Sequence, residues 1–508
     1  MDKTWDYYVC LLFIVWPFRA IAYLSPIVCT LLAVNQFGYA GPILQHWSVL
    51  PWLIYSMSES LFLLYYLWAK YRLSQPVFDP PQLMTDLASR RHAPSSVHDF
   101  FDTMVRHTDD IQSFIQEWFY DTPFEELSRR DLQKLIAYVF FSKEWNHMAP
   151  AEKVDVNAMI DRLYEITNVK EPTEDATSAQ PKHCIRHTLD EFNSVARPWL
   201  IYACTFALNY LCAAFLSLAG FRRHHLRQGL GYWHRDAMTR PVGEPLVFVH
   251  GIGAGLVLYL PLLWSFLTTH PNRAILLVET PYVSMQLVDD VPNKAETLEA
   301  LQKMLDTHHI ASAHWMGHSL GTVICSWVCQ ELPHAVSHAT FIDPIVFYLW
   351  KRDVAYNFLY RSPSTGLQVL MWYFASTELH IVHVMRRHFW WYNMVCFPEH
   401  LPRDPKTGHV AASVFLSTHD LIINAAHVAA HLKRGMQSRV DNQIAPHDVI
   451  ETVCWDGFTH GEMLFHAHAL KTISSHVRRR NEAPKQVVAT PSWAEFVVNR
   501  FILALDLQ

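Results

Sequence analysis

The pentapeptide Gly317-His318-Ser319-Leu320-Gly321 constrains the fold more than any other feature of this sequence. Apolar residues at 313–316 precede it in the manner of a buried strand, and residues 322–330 have the apolar spacing of a helix. Glycines on both sides of a serine allow a sharp strand-to-helix turn, because larger side chains would collide there with neighbouring backbone. The pattern therefore predicts a tight turn that exposes the hydroxyl group of Ser319.

Short apolar segments alternate with helical segments from about residue 236 onward. Predicted helices lie at 294–307 and 322–330, and predicted strands lie at 245–249, 274–278, 313–316, 339–342, 412–416 and 451–455. This alternation favours a mostly parallel sheet with helices on both of its faces, which is the α/β class of fold.

A serine hydroxyl becomes nucleophilic when a base lies within hydrogen-bonding reach, and histidine suits this task near pH 7. The chain has 31 histidines, so position has to select among them. His460 follows the predicted strand 451–455 and precedes a short helical run, which makes it the predicted base. His318 adjoins the serine, but a spacer residue of such a turn points away from the hydroxyl. His250 is expected to shape the turn after the strand 245–249.

An acidic residue is needed to orient the imidazole and to stabilise its protonated form. Two aspartates end suitable strands: Asp420 follows 412–416, and Asp343 follows 339–342. The chain order serine, aspartate, histidine favours Asp420. Asp343 stays open as an alternative acid, or as a capping residue from which Pro344 directs the chain into an insertion.

The order of these features resembles the α/β-hydrolase superfamily over about residues 236–470. A first strand is followed by His250-Gly251-Ile252-Gly253, and the pentapeptide around Ser319 comes next. A strand that ends in an aspartate and a strand that ends near His460 complete the order. The first two strands of that family are not legible here, and the segment before residue 236 carries no comparable resemblance.

The resemblance implies a set of roles for residues of this chain. Ser319 matches the nucleophile, His460 the base and Asp420 the acid. The oxyanion hole then consists of the backbone N–H group of Leu320 and that of a residue in the first turn, which is Ile252 or Gly253.

Three long apolar segments lie in the N-terminal half of the chain. Residues 7–34 and 44–69 contain one charged residue each, and residues 199–220 contain none. A bilayer span needs about 20 mostly apolar residues, so each segment is long enough; the alternative is a set of buried core helices. Basic residues follow both 44–69 and 199–220, which assigns both flanks, and the catalytic domain, to the cytoplasmic side.

We therefore expect two N-terminal spans, with 199–220 lying in the interface or covering the catalytic domain. One N-terminal span together with 199–220 would serve equally well. Such a protein would have the membrane as a partner.

The chain divides into five predicted segments. They are membrane-anchoring helices at 1–75, a helical region at 76–235 that ends in the apolar segment, the first part of the hydrolase core at 236–344, a helical cap insertion at 345–409 and the second part of the core at 410–508. Residues 171–181 have the composition of a solvated linker. The cap is rich in aromatic side chains, which suit both a core of its own and an apolar lid over an acyl pocket.

Composition excludes several classes of partner. The net charge of −6 argues against nucleic acid, and the 17% of charged residues is below the ordinary share of about 25%. The nine cysteines are odd in number, so they do not suggest a disulfide framework. No metal-binding motif accompanies His427 and His431, and Cys325 and Cys329 fit small apolar packing. No metal or cofactor is expected, and the oligomeric state stays open.

The expected function is hydrolysis of a carboxylic ester of a lipophilic substrate, through an acyl-enzyme on Ser319. An acyltransferase or thioesterase could use the same acyl-enzyme, since the pocket chooses the acceptor. A further alternative, of another class, is a catalytically idle hydrolase fold that acts as a membrane interaction protein.

Overall fold

The structure is a computed structural model that describes residues 3–37, 50–77, 81, 83, 95–171, 182–227, 229–238, 241, 243–441 and 450–478. In these residues eight strands form one sheet in the order β1-β2-β4-β3-β5-β6-β7-β8. β2 is antiparallel to its neighbours β1 and β4, and the remaining pairs are parallel. The strands are β1 Arg222–Arg227, β2 Leu230–Arg235, β3 Leu246–Val249, β4 Ile275–Glu279, β5 Ala313–His318, β6 Val336–Ile342, β7 Ala412–Ser417 and β8 Glu451–Trp455.

This topology confirms the predicted α/β fold class with a mostly parallel sheet. The six predicted strands correspond to β3 to β8. The two strands that the sequence did not reveal, β1 and β2, begin at Arg222, so the core starts earlier than the predicted boundary at residue 236. β1 is an edge strand rich in arginine and histidine, and charged side chains on an edge discourage pairing with other chains. This polar edge is why apolar patterning did not identify it.

Helices precede, connect and follow the strands. Before the sheet lie α1 Trp5–Cys10, a π-helical turn at Leu11–Val15, α2 Trp16–Phe37, α3 Leu50–Leu73, α4 Val97–Arg106, α5 Ile111–Trp118, α6 Arg129–Phe141, α7 Pro150–Thr167 and α8 Trp199–Leu218. Between and after the strands lie α9 Leu260–Thr269, α10 Lys294–Thr307, α11 Gly321–Glu331, α12 Asp353–Ala355, α13 Gly366–Met371, α14 Leu379–His383, α15 Trp391–Met394, α16 Ala425–Asp441 and α17 Ala467–Arg478. The predicted linker 171–181 lies outside the described residues except for residue 171 and is not described further.

Side chains of the sheet alternate between two apolar cores, one on each face. In β3, Val247 and Val249 belong to the core that α11 covers, whereas Leu246 and Phe248 belong to the core that α9 and α17 cover. Helices on both faces of the sheet bury most residues of the inner strands, which explains their mostly apolar sequences.

Two helical stretches among the described residues are long and apolar enough to cross a membrane: Trp5–Val34 and Trp199–Leu218. Their side chains are mostly exposed, since 17% and 22% of these stretches are buried. Helix α3, which covers most of the predicted segment 44–69, is not one of them. Length and composition alone select these two stretches, so the number of spans stays a prediction.

Residues 345–409, here called the cap segment, connect β6 to β7 and form α12 to α15 with π-helical turns between them. The N-terminal helix contacts the cap segment directly. Asp6 accepts a hydrogen bond from the backbone N–H of Gly366 at 2.6 Å, and Tyr7 and Val15 share an apolar cluster with Val369. The N-terminal helices and the cap segment are therefore packed against each other.

Helix α8 also contacts the cap segment. The hydroxyl of Tyr202 donates to a carboxylate oxygen of the buried Glu378 at 2.9 Å. The guanidinium group of Arg197, just before α8, donates to the carbonyl of Thr377 at 3.0 Å. These bonds place α8 beside the cap segment.

Candidate active site

The predicted site residues lie after the carboxyl ends of five neighbouring strands. Ser319 follows β5, Asp343 follows β6, Asp420 follows β7, His460 follows β8, and Ile252 follows β3. The carboxyl ends of parallel strands lie at one edge of a sheet, where ligands of open α/β sheets usually bind. The order of the strands alone therefore gathers these side chains at one place.

Ser319 occupies a strained turn between β5 and α11. Its φ of 52° lies in the left-handed region, and its backbone N–H donates to the carbonyl of Ile342 at 2.9 Å. A Cβ atom at Gly317 would lie 2.7 Å from the carbonyl oxygen of Gly321, and one at Gly321 would lie 2.7 Å from that of His250. Both glycines are therefore required by close backbone contact, as the pentapeptide predicts.

Ser319, His460 and Asp420 form a hydrogen-bonded chain. Ser319 Oγ lies 2.8 Å from Nε2 of His460, and Nδ1 of His460 lies 2.6 Å from Oδ2 of Asp420. The other oxygen of Asp420 accepts hydrogen bonds from the backbone N–H groups of Ile422 at 2.6 Å and Ile423 at 3.0 Å. Because an ionised carboxylate only accepts, Nδ1 of His460 is the donor, and Nε2 is left to accept the serine proton.

Asp343 lies beside this chain but binds the loop that carries His460. Its Oδ1 accepts a hydrogen bond from the N–H of Ser417 at 2.9 Å, and its Oδ2 accepts one from the N–H of Gly461 at 2.7 Å. Burial raises the pKa of Asp343 to about 7, against the charge of His460, which lowers it. The structure thus brings Asp420, not the alternative acid Asp343, to the imidazole ring.

The electrostatic surroundings distinguish the two histidines nearest to Ser319. Burial lowers the pKa of His460, but the charge and hydrogen bond of Asp420 outweigh it, so the pKa lies above its ordinary value. Burial and the charge of His460 hold the pKa of His318 well below its ordinary value. His318 is therefore neutral near pH 7, and His460 is the histidine equipped to accept and stabilise a proton.

Two of the three residues that offer candidate oxyanion donors line the cavity that contains Ser319. The N–H of Gly253 donates to the carbonyl of Val283 at 3.0 Å, so that donor is already used. Ile252 and Leu320 both line the cavity that contains Ser319. Leu320 caps the N-terminus of α11, where the helix dipole favours developing negative charge. The geometry favours Ile252 over Gly253 as the partner of Leu320.

Buried side chains hold the turn after β3 in place. His250 donates from Nδ1 to the carbonyl of Gly251 at 2.8 Å and accepts at Nε2 from the N–H of Thr280 at 3.1 Å. The hydroxyl of Tyr259 accepts from the N–H of Gly251 at 2.9 Å and lies 2.7 Å from Nδ1 of His318. His250 shapes this turn as predicted, whereas no sequence motif marks Tyr259.

A cavity of about 190 Å³ contains Ser319 and His460 and is otherwise mostly apolar. The cap segment supplies much of its wall through Ile345, Val354, Phe358, Leu367, Met371 and Met385. A second cavity of about 760 Å³ also borders Leu320 and reaches Trp327 and Trp390. Both cavities therefore meet at the residue after the serine.

The site residues themselves are committed to hydrogen bonds. Atoms of Asp343, Asp420 and His460 lie close enough together to hold a metal ion, but their hydrogen bonds to protein groups already engage them. His431 is buried, with its ring centroid 4.9 Å from that of Tyr348, which is aromatic packing. These arrangements give no reason to assign a metal or cofactor to the site of Ser319.

Cys325 and Cys329 lie one turn apart on α11 and are fully buried. Burial raises the pKa of both thiols, which leaves them unreactive. They serve the apolar packing that the sequence indicates.

No family model and no curated protein matches the sequence. Solved structures to which the chain is similar include a naproxen esterase from Bacillus subtilis, with 13% identity, coverage of 55% of this chain and 97% of that one, and a TM-score of 0.35. They also include a bacterial membrane phospholipase A, with 11% identity, coverage of 55% and 93%, and a TM-score of 0.37. A third is a 2-hydroxy-6-oxo-6-phenylhexa-2,4-dienoate hydrolase from Rhodococcus, with 14% identity, coverage of 51% and 98%, and a TM-score of 0.35.

Identities and scores of this size carry no inference about activity or substrate. The assignment of the fold rests on the sheet and on the residues at the carboxyl ends of its strands. The strand order, the antiparallel β2, the strained serine turn between β5 and α11, and an aspartate and a histidine after β7 and β8 occur together. The chain has the α/β-hydrolase fold.

Proposed function

We propose that the protein is a membrane-associated serine hydrolase that cleaves a carboxylic ester of a lipophilic substrate through an acyl-enzyme on Ser319. One observation supports this most strongly: the hydroxyl of Ser319 lies 2.8 Å from Nε2 of an imidazole whose other nitrogen lies 2.6 Å from a buried carboxylate. A serine in a left-handed turn with this partner set has the arrangement that activates a nucleophile.

The proposed reaction has two halves. Ser319 Oγ attacks the ester carbonyl carbon while His460 accepts its proton, and the N–H groups of Ile252 and Leu320 stabilise the oxyanion. His460 then gives the proton to the departing alcohol, which leaves an acyl-enzyme. Water attacks the acyl group, again losing a proton to His460, and the carboxylic acid leaves as the Ser319 hydroxyl re-forms. Asp420 keeps the imidazole in the required tautomer throughout.

A lipophilic substrate is supported by the walls of the cavity. Its wall from the cap segment is apolar, and Leu367 in that wall is half exposed, which puts it at the rim. The volume of about 190 Å³ is below the roughly 300–1,000 Å³ usual for ligand pockets. We infer that a long acyl chain reaches Ser319 after the cap segment shifts, whereas a short one fits without movement.

Membrane association is supported by exposed apolar helices beside the cap segment. Phe13 in the first candidate span is 76% exposed and Phe206 in α8 is 71% exposed. Helices α3 and α8 adjoin, with the rings of Phe62 and Tyr202 5.4 Å apart. Apolar surface of this extent is characteristic of contact with lipid or with a partner. We propose lipid, with the catalytic domain on the cytoplasmic side as the basic flanks indicate.

Labelling with a fluorophosphonate probe tests the chemistry. The purified full-length protein in detergent should react covalently, and Ser319→Ala and His460→Ala should abolish labelling. Ser362→Ala, which removes an exposed serine of the cap segment, is the matched control and should label like wild type. Folded wild-type protein that takes up no probe would support the idle interaction protein instead.

A series of p-nitrophenyl esters of increasing acyl length tests the substrate class. Hydrolysis that extends to long acyl chains in the presence of detergent or lipid supports the proposal. Strict restriction to acetyl or butyryl esters contradicts a lipophilic substrate. Adding an alcohol or thiol acceptor and identifying the products separates hydrolysis from acyl transfer.

A further inference from the structure

Three histidines far from Ser319 lie close together beside the edge strand β1. His224 lies on β1, His234 lies on β2, and His308 follows the last residue of α10. One nitrogen atom of each ring lies within 4.8 Å of those of the other two. We call these three residues the imidazole cluster.

The register of the hairpin explains how the cluster forms. His224 pairs with Tyr232 across β1 and β2, and His234 is two residues beyond Tyr232. Residues two apart on a strand share one face, so both histidines point to the same side of the hairpin. His308 comes from the helix that packs on that side, where Arg227 of β1 forms an ion pair with Glu296 of α10 at 2.8 Å.

The rings pack closely and leave ligand atoms free. The centroids of His234 and His308 are 3.8 Å apart, and Tyr232 stacks on His224 at 4.8 Å. The hydroxyl of Tyr232 lies 2.9 Å from Nε2 of His308, which leaves Nδ1 of that ring for another partner. Nε2 of His224 is buried and has no hydrogen-bond partner among the described residues.

A carboxylate and a cation flank the cluster, which would bind a metal ion through neutral imidazole nitrogens. An Asp236 carboxylate oxygen lies 3.5 Å from Nε2 of His234, whereas Arg222, paired with His234 across the hairpin, is the cation that opposes a bound ion.

We propose that His224, His234 and His308 bind one divalent transition-metal ion of the zinc type, with Asp236 or water as the fourth ligand. Imidazole nitrogens suit such ions, and zinc takes four ligands at about 2.0–2.1 Å from nitrogen. Four-coordinate geometry at that length places the nitrogens about 3.4 Å apart, so small side-chain rotations close the site around the ion.

The position of the cluster indicates a structural role. His234 pairs with Leu276 near the start of β4, whereas Ser319 follows the carboxyl end of β5. The cluster and Ser319 therefore lie at opposite ends of the parallel strands. A bound ion would tie the edge hairpin to α10, next to the end of the apolar helix α8. This inference does not depend on the proposed hydrolase activity.

The experiment uses tag-free full-length protein in detergent. Metal analysis of the purified protein should find one equivalent of zinc, and chelation should lower the melting temperature by several degrees. Cobalt added to the chelated protein should give the intense visible absorption of a four-coordinate site. These measurements on wild type need no variant that might misfold.

Variants identify the ligands. His224→Ala and His308→Ala should each weaken cobalt binding at least tenfold, whereas His225→Ala should not, because His225 is exposed and lies on the opposite face of β1. The circular dichroism spectrum of each variant should match that of wild type, which shows that the fold survives. Less than one tenth of an equivalent of bound metal in wild type, or unchanged cobalt affinity in His308→Ala, would overturn the proposal.

Discussion

Asp420 and Asp343 differ in the groups that their carboxylates contact. Asp420 accepts two backbone hydrogen bonds on one oxygen and faces the imidazole of His460 with the other. Asp343 accepts from Ser417 and Gly461 and therefore holds the loop on which His460 stands. One aspartate orients the ring through a direct bond, and the other positions it through the backbone.

Asp420→Asn is expected to lower kcat by about 10⁴-fold, since an amide at this position no longer requires Nδ1 of His460 to be the donor. The measurement is ester turnover, with the melting temperature to verify folding. Asp456→Asn removes an exposed acid at the end of β8 and is the control, with activity near that of wild type. A fall of less than tenfold in Asp420→Asn, with a large fall in Asp343→Asn at unchanged stability, would reverse the roles assigned to the two aspartates.

The pH dependence of kcat/KM is expected to follow His460. The base acts when it is unprotonated, so activity rises with pH through its pKa. That pKa lies above the ordinary histidine value of about 6.5, because Asp420 favours the protonated ring. The acid limb of the profile should accordingly have its midpoint above 6.5. A midpoint well below that value would mean that the charge of Asp420 does not act on the base.

The strand-to-helix turn owes its shape to the two glycines around Ser319. Gly317 contacts the backbone of Gly321 and the sulfur of Cys325, and a Cβ atom added to it would lie 2.7 and 2.8 Å from them. Neither α11 nor β5 can move away easily, because α11 is buried along most of its length and β5 is buried throughout. The position of the Ser319 hydroxyl thus depends on two elements that are fixed by their own packing.

Gly317→Ala is expected to destabilise the protein by about 1–3 kcal/mol and to reduce fluorophosphonate labelling, because the collision displaces α11. Gly408→Ala is the control: its φ of 74° is unfavourable for alanine, but a Cβ atom there meets nothing within 4 Å. That variant should lose about 1–2 kcal/mol and keep its labelling. Denaturant unfolding and probe labelling measure the two effects. Normal labelling in Gly317→Ala would show that the turn tolerates a side chain.

The whole molecule combines the hydrolase sheet with apolar helices whose side chains are mostly exposed. Exposed side chains of α8 and of the N-terminal helix lie next to the cap segment that walls the cavity. An enzyme for lipid esters gains from such an arrangement, since its substrate is concentrated in the bilayer. Localisation experiments test whether these helices hold the protein at the bilayer, where a lipid substrate is concentrated.

The protein is expected to sediment with membranes and to resist carbonate extraction. Phe206→Lys should weaken this association, since a lysine at the centre of a membrane helix costs about 2.5–3.5 kcal/mol. Val154→Lys introduces the same charge at an apolar residue of α7 that is 67% exposed and should have no effect. Wild-type protein that stays monomeric in detergent-free buffer would contradict the lipid-facing surface, although the serine chemistry could still hold.

Much of the catalytic core was legible from local patterns. Asn293 caps the N-terminus of the helix 294–307 and forms a reciprocal capping box with Glu296. The six parallel-sheet segments are mostly apolar because helices cover both faces of the sheet. β1 was missed because its Arg-Arg-His-His-Leu-Arg sequence lies at an edge, where burial imposes no apolar pattern. β2 is buried, but Gly231, His234 and Arg235 interrupt its apolar sequence.

The residues of the candidate site also divide into those that local sequence identifies and those that only tertiary contacts bring together. Local sterics identify Ser319, because the glycines that its turn requires are its neighbours in the chain. Other features of the site depend on residues that are distant in sequence. They are the contact of His460 with Asp420 and not Asp343, the hydrogen bond from the N–H of Gly253 to the carbonyl of Val283, and the proximity of His224, His234 and His308. Their contacts arise from strand register and from helices packed across the sheet. A linear pattern does not encode those distances, and so these contacts become visible only in the folded chain.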